Sequence, residues 1–235
     1  LGLIGEVLPA QEPAKKIPLR KILETAAKPE TLRSQPLDAR YMELAKDEKA
    51  NRKELQEMVD KAAKDAGYNV EEAVYRGDKE PYEELIAGER AGNLGYGLYF
   101  TPDREYAKKF GDTRKFYLRG EIVDLNSDGV FERYEELVEE LSETQMSPPH
   151  VKAEDIALGL LVDEMGVAGL RRKFPRDSRW GGLDGEGFFS EEIVVPEGSF
   201  AKLAAPITRD EDGNVIPLSE RIDTSQPSIL RSQPL

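Results

Sequence analysis

Apolar positions change their period along the chain. Between about Asn51 and Ala66, the residues Leu55, Met58, Val59, Ala62 and Ala63 recur on one helical face, and Gly67 ends the run. A shorter helix is predicted over Ala39 to Lys46, with Asp38 as its N-cap. Beyond Gly67 the apolar runs shorten and fill with aromatic and β-branched residues. Strands are predicted over Ala73 to Tyr75, Leu98 to Thr101, Lys115 to Leu125, Val167 to Phe174 and Phe188 to Val195. Between them, Tyr82 to Arg90 and Arg104 to Phe110 read as short helices. Phe131, Tyr134, Leu137, Val138 and Leu141 mark one longer helical face, and Ile156, Leu160, Leu161 and Met165 another. Strands and helices without regular βαβ alternation predict an α+β fold.

The pattern also divides the chain. Residues 1–37 hold Pro9, Pro13, Pro18, Pro29 and Pro36, leaving room only for a short helix over Leu19 to Ala27. They read as a linker or an arm. Residues 38–67 form a helical segment, 68–205 the main domain, and 206–235 a polar tail expected to be extended. Leu32-Arg33-Ser34-Gln35-Pro36-Leu37 recurs as Leu230-Arg231-Ser232-Gln233-Pro234-Leu235. The repeat is either a duplicated linker or a junction between modules, such as a processing site. Because the chain starts at Leu1 rather than Met, we expect a piece of a longer polypeptide.

Composition narrows the chemistry. A hydrophobic content of 39% against 34% charged fits one modest core with polar extensions. The net charge of −13 argues against a nucleic-acid backbone as partner. The one basic stretch, Lys15, Lys16, Arg20 and Lys21, lacks interleaved aromatics. With no cysteine, disulfides, thiolate metal sites and a Cys nucleophile are excluded. The lone histidine, His150, follows a Pro-Pro loop and cannot build a His-rich metal site, so no metal is expected. No apolar run approaches a membrane span.

Three segments carry candidate chemistry. In Val74-Tyr75-Arg76-Gly77, an Arg at a strand end can reach a phosphate or ribose oxygens, and Gly77 lets a ligand approach the backbone. In Gly97-Leu98-Tyr99-Phe100-Thr101-Pro102, Tyr99 and Phe100 face opposite ways, so Phe100 can fill the core while Tyr99 lines a cleft. Pro102 or Asp103 then opens a short helix whose Phe110 could supply a second wall. In Phe189-Ser190-Glu191-Glu192-Ile193-Val194-Val195, alternation sends Glu191 and Glu192 to opposite faces, so that one can be solvated while the other faces the cleft. A carboxylate there can stabilise positive charge at an anomeric carbon.

In this order the three segments resemble the core motifs of the ADP-ribosyltransferases, especially the small domains inside polyvalent proteins of phages and mobile elements. The resemblance covers roughly residues 38–222. It implies a split, mixed β core with surrounding helices, and NAD as substrate without a metal. It implies Arg76, Gly77 and Thr101 at the NAD site, Tyr99 and Phe110 against nicotinamide, and Glu191 as the catalytic carboxylate. A protein acceptor is expected, met by Arg179, Trp180 and Phe189; Trp180 could equally fold back onto the core. The implied setting is the cytoplasm of a bacterial host, with a toxin-like effector delivered by phage. Phe189 stands where arginine-modifying members carry an acid or Gln. NAD hydrolysis, and an inactive structural module, are the alternatives.

Overall fold

Asp47 begins the longest helix by accepting a hydrogen bond from the Ala50 N–H at 3.1 Å. This helix, α2 (Glu48–Asp65), buries Leu55, Val59, Ala62 and Ala63, the expected face, and Met58 packs at its margin. Gly67 follows it with φ of +84°, a left-handed conformation that glycine adopts without strain. The preceding helix, α1 (Gln35–Leu44), starts earlier than predicted. Asp38 therefore lies inside its first turn rather than at the cap. Its carboxylate instead accepts the N–H and hydroxyl of Ser219, at 3.0 and 2.7 Å. The computed structural model describes residues 35–79, 85, 92, 94–143, 151–175 and 189–227. These fall in the second of two compact units, Thr31–Leu235; the first, Leu1–Glu30, lies outside them, as do the helices expected over 19–27 and 82–90.

Two sheets follow. The first holds β1 (Tyr68–Asp78), β3 (Asp112–Arg119) and β7 (Ala201–Leu203) in the order β1-β3-β7, all antiparallel. The second holds β2 (Leu98–Phe100), β4 (Ile122–Asp124), β5 (Gly169–Pro175) and β6 (Phe189–Val195) in the order β2-β6-β5-β4. Only the β4–β5 pair is parallel. The single strand expected over 115–125 is thus two strands in different sheets. The break falls at Gly120, whose φ is +88° and whose missing Cβ would sit 2.5 Å from that of Ala168. Strand β7 has three residues and no alternation long enough to be read from sequence. The fold is α+β.

Both sheets contribute to one cluster: Val74, Phe116 and Leu118 from the first, Leu98, Phe100, Ile193 and Val195 from the second. Helices α4 (Val130–Glu143) and α5 (Ala153–Met165) supply Leu137, Leu158 and Leu161 to another cluster, with Leu170 and Val194 of the second sheet. Helix α5 buries Ala157, Leu158, Leu161 and Val162, whereas Leu160 and Met165 of the predicted face are exposed. The helix is apolar nearly all round, so its periodicity did not settle which side packs inward.

The stretch 206–227 is not a detached tail. Ile207, Ile216, Leu218 and Ile222 are buried with Tyr41, Leu55 and Tyr117. The short helix α6 (Leu218–Arg221) ends on a buried guanidinium. Arg221 donates to the hydroxyl of Tyr41 and to the carbonyls of Leu203, Ala205 and Pro206. Burial pulls its pKa down, with the Tyr41 hydroxyl opposing. A charged, sparsely apolar sequence conceals this because its few apolar residues are spaced irregularly.

Lys202 is a second buried cation, only 1% exposed, and its ammonium donates to the Gln226 carbonyl at 2.7 Å. Burial brings its pKa down to about 8, partly opposed by Asp223. The folded state therefore binds fewer protons than the unfolded chain between pH 8 and the ordinary lysine range. Stability should rise from pH 8 to 10 by that linkage. Urea titrations across this window should show the rise in the wild type and a flatter profile in Lys202→Met; an unchanged slope would refute the assignment.

Candidate functional site

The two sheets meet at one pair of main-chain hydrogen bonds. The Tyr75 N–H donates to the Thr101 carbonyl at 2.7 Å, and the Thr101 N–H returns a bond to Tyr75 at 2.9 Å. This brings Arg76 and Gly77 of β1 beside Tyr99 of β2. Helix α3 (Arg104–Ala107) follows at once, capped by Asp103, which accepts the N–H groups of Glu105 and Tyr106 at 2.9 and 3.0 Å. One 3₁₀ turn, Lys108–Phe110, carries the chain on. Tyr106 and Phe110 thereby stand edge to face, ring centres 5.3 Å apart. Between these elements lies a cavity of about 360 Å³, lined by Arg76, Gly77, Tyr99, Thr101, Tyr106, Phe110 and Glu192 among others. That volume is within the range of small-molecule sites, about 300–1,000 Å³.

Arg76 is held from two directions. Its Nε donates to Oδ1 of Asp78 at 2.8 Å, and Nη1 donates to the Tyr99 carbonyl at 3.3 Å. Asp78 is buried, and its Oδ2 has no hydrogen-bond partner among the described residues. The guanidinium is thus fixed at the cavity wall, pre-organised for an anionic or hydroxyl-rich ligand. The Tyr99 hydroxyl accepts from the Leu94 N–H at 2.7 Å and donates to the Gly95 carbonyl at 2.6 Å. Burial raises its pKa, so it stays a neutral phenol whose ring forms the wall. Gly77 lines the cavity, but packing explains its missing side chain: a Cβ there would sit 2.0 Å from the Ala107 carbonyl oxygen. Thr101 is buried, and its hydroxyl accepts the Asp103 N–H at 3.1 Å. Phe110 is half exposed at the cavity mouth.

Glu191 does not line this cavity. Its carboxylate turns toward Arg171 at 3.4 Å and Lys173 at 4.0 Å. Glu192 lines it instead, is buried, and accepts the Tyr106 hydroxyl at 2.8 Å. Register explains the exchange. Val194 pairs with Tyr99 and so shares its face; Glu192, two residues earlier, shares that face too. Glu191, paired with Lys173, falls on the other face with Ile193, which pairs with Arg171. The sequence placed the two carboxylates on opposite faces, but only pairing with β2 decides which faces the aromatic wall. Tyr106 and Asp78 were also missed as site residues; the Asp103 cap spacing was the available signal for Tyr106. Trp180 and Arg179 lie outside the described residues, as does the side chain of Phe189.

No family model matches this chain, and no curated protein does. One solved structure that is similar is described as a crystal structure of an anti-CRISPR protein. It is 15% identical with a TM-score of 0.31, and the match covers 53% of this chain and 90% of that one. Likeness at that level carries no functional argument. Among the described residues, no group of three or more His, Cys, Asp or Glu could hold a metal ion. No helix among them is long and apolar enough to cross a membrane.

The wall around Tyr99 is tight at Gly92, where a Cβ would lie 2.6 Å from the Tyr99 ring. Gly92→Ala should displace that ring and cost about 1–3 kcal/mol. Thermal melting should show a drop of several degrees, and a variant as stable as wild type would show that the ring is not confined there.

Proposed function

We propose that the protein splits NAD at the nicotinamide–ribose bond and transfers ADP-ribose to a protein acceptor. The observation that carries this reading is the convergence of Arg76, Tyr99, Tyr106 and Glu192 on one cavity at the junction of two sheets. The ordered resemblance of the three segments to ADP-ribosyltransferases supports it.

Each group has a task in such a reaction. Arg76, anchored by Asp78, offers a fixed cation to the pyrophosphate or the ribose oxygens. The Tyr99 ring supplies a flat apolar wall for nicotinamide, with Phe110 at the mouth. The C1′–N bond breaks with its electron pair leaving on nicotinamide, and positive charge grows on the ribose. A carboxylate beside that centre stabilises the charge. Glu192, held by Tyr106, is the group for this role; it replaces Glu191 in the reading from sequence. The acceptor's lone pair then forms the new bond to C1′, and its proton passes to the carboxylate or to water.

The assignment separates two adjacent residues. Nicotinamide release from NAD, with and without bacterial lysate as acceptor, should fall by about 10²–10³ in Glu192→Gln. In Glu191→Gln it should stay within about threefold of wild type, since that residue serves a partly exposed ion pair. The reverse pattern would return the role to Glu191, and equal activity in both variants would remove both. Loss of the Tyr106 hydroxyl in Tyr106→Phe should lower turnover by about 10- to 100-fold, the worth of one hydrogen bond to a carboxylate. A wild-type rate in that variant would show that the hydroxyl does not set the carboxylate.

A further inference from the structure

Helix α5 carries an interior glycine that nothing among the described residues requires. Gly159 sits in the middle of Ala153–Met165, where glycine is among the least favourable residues. Its φ is not in the left-handed region, and a Cβ built on it would meet no atom of the described residues within 4 Å. Neither backbone conformation nor close packing accounts for it. It lines a groove of about 370 Å³, together with Tyr96, Ile156, Leu160 and Pro196. Tyr96 and Leu160 are exposed at 44% and 38%, large for apolar residues. Leu160 belongs to the face that the periodicity assigned to the core, of which Leu161 is buried.

The groove adjoins the candidate active cleft: Gly97 lines both. Asp163 also lines it and is exposed, with no ion pair among the described residues. The chain's net charge of −13 disfavours a second copy as occupant and favours a basic partner. A bare helical backbone in an apolar trough admits close approach by another main chain, as an extended peptide requires.

We propose that this groove docks an extended apolar segment, flanked by basic residues, of the protein that receives ADP-ribose. The role of acceptor rests on the catalytic reading above; the docking surface does not.

The test uses two fluorescent peptides with one apolar core, one flanked by Lys and Arg and the other by Glu. Anisotropy measures binding to wild type and to Gly159→Gln, and nicotinamide release and melting temperature are read on the same proteins. The proposal expects the basic peptide to bind wild type at least tenfold tighter than the acidic one. It expects Gly159→Gln to weaken that binding at least tenfold without lowering the melting temperature or nicotinamide release. Equal binding by the variant, or binding of neither peptide, would overturn it. So would wild-type self-association by sedimentation that the variant abolishes, which would make a second copy the occupant. Peptide binding without nicotinamide release from the wild type would refute the catalytic reading and the acceptor role with it, while upholding the docking surface.

Discussion

The site depends on one pair of main-chain hydrogen bonds, the exchange between Tyr75 and Thr101. This exchange sets β1 against β2. It brings the Arg76 guanidinium to the Tyr99 carbonyl and leaves the cavity between them. The shared cluster of Val74, Leu98, Phe100, Phe116, Ile193 and Val195 lies behind the exchange and makes separation of the sheets costly. Phe100 and Phe116 meet edge to face within it, rings 5.2 Å apart. Packing on one side of the junction thus fixes polar geometry on the other.

Buried polar groups then lock the elements that carry the site. Asp78 and Arg76 form an ion pair in which the carboxylate is nearly excluded from water. Such a pair is weak evidence for stability, but it restricts where the guanidinium can point. Arg221 does similar work at a distance, tying Tyr41 of α1 to the last carbonyl of β7 and two that follow it. Removing either cation would strand its acceptors. Rigidity here comes from satisfied networks as much as from apolar area.

Much of this was legible in the residues. Helix α2, the strand character of the three motif segments, and the cleft-facing roles of Arg76 and Tyr99 follow from period, glycine placement and alternation. What was not legible is equally specific. Glu191 and Glu192 are chemically identical neighbours, and the choice between them is a matter of register with a distant strand. Leu160 and Met165 look like core because α5 has apolar residues on every side. Ile207, Ile216, Leu218 and Ile222 look like scattered tail residues because no single period links them, yet they close the core beneath α1 and α2. In each case long-range pairing, rather than local propensity, decided the outcome.

The central claim is that the junction cavity receives NAD and presents Glu192 to its ribose. A crystal structure of the protein with NAD bound tests it most directly. The account predicts the nicotinamide ring against Tyr99, the pyrophosphate or ribose oxygens at Arg76, and the Glu192 carboxylate within hydrogen-bond distance of the nicotinamide ribose. A dinucleotide bound elsewhere, or one that meets Glu191 while Glu192 stays turned away, would contradict it.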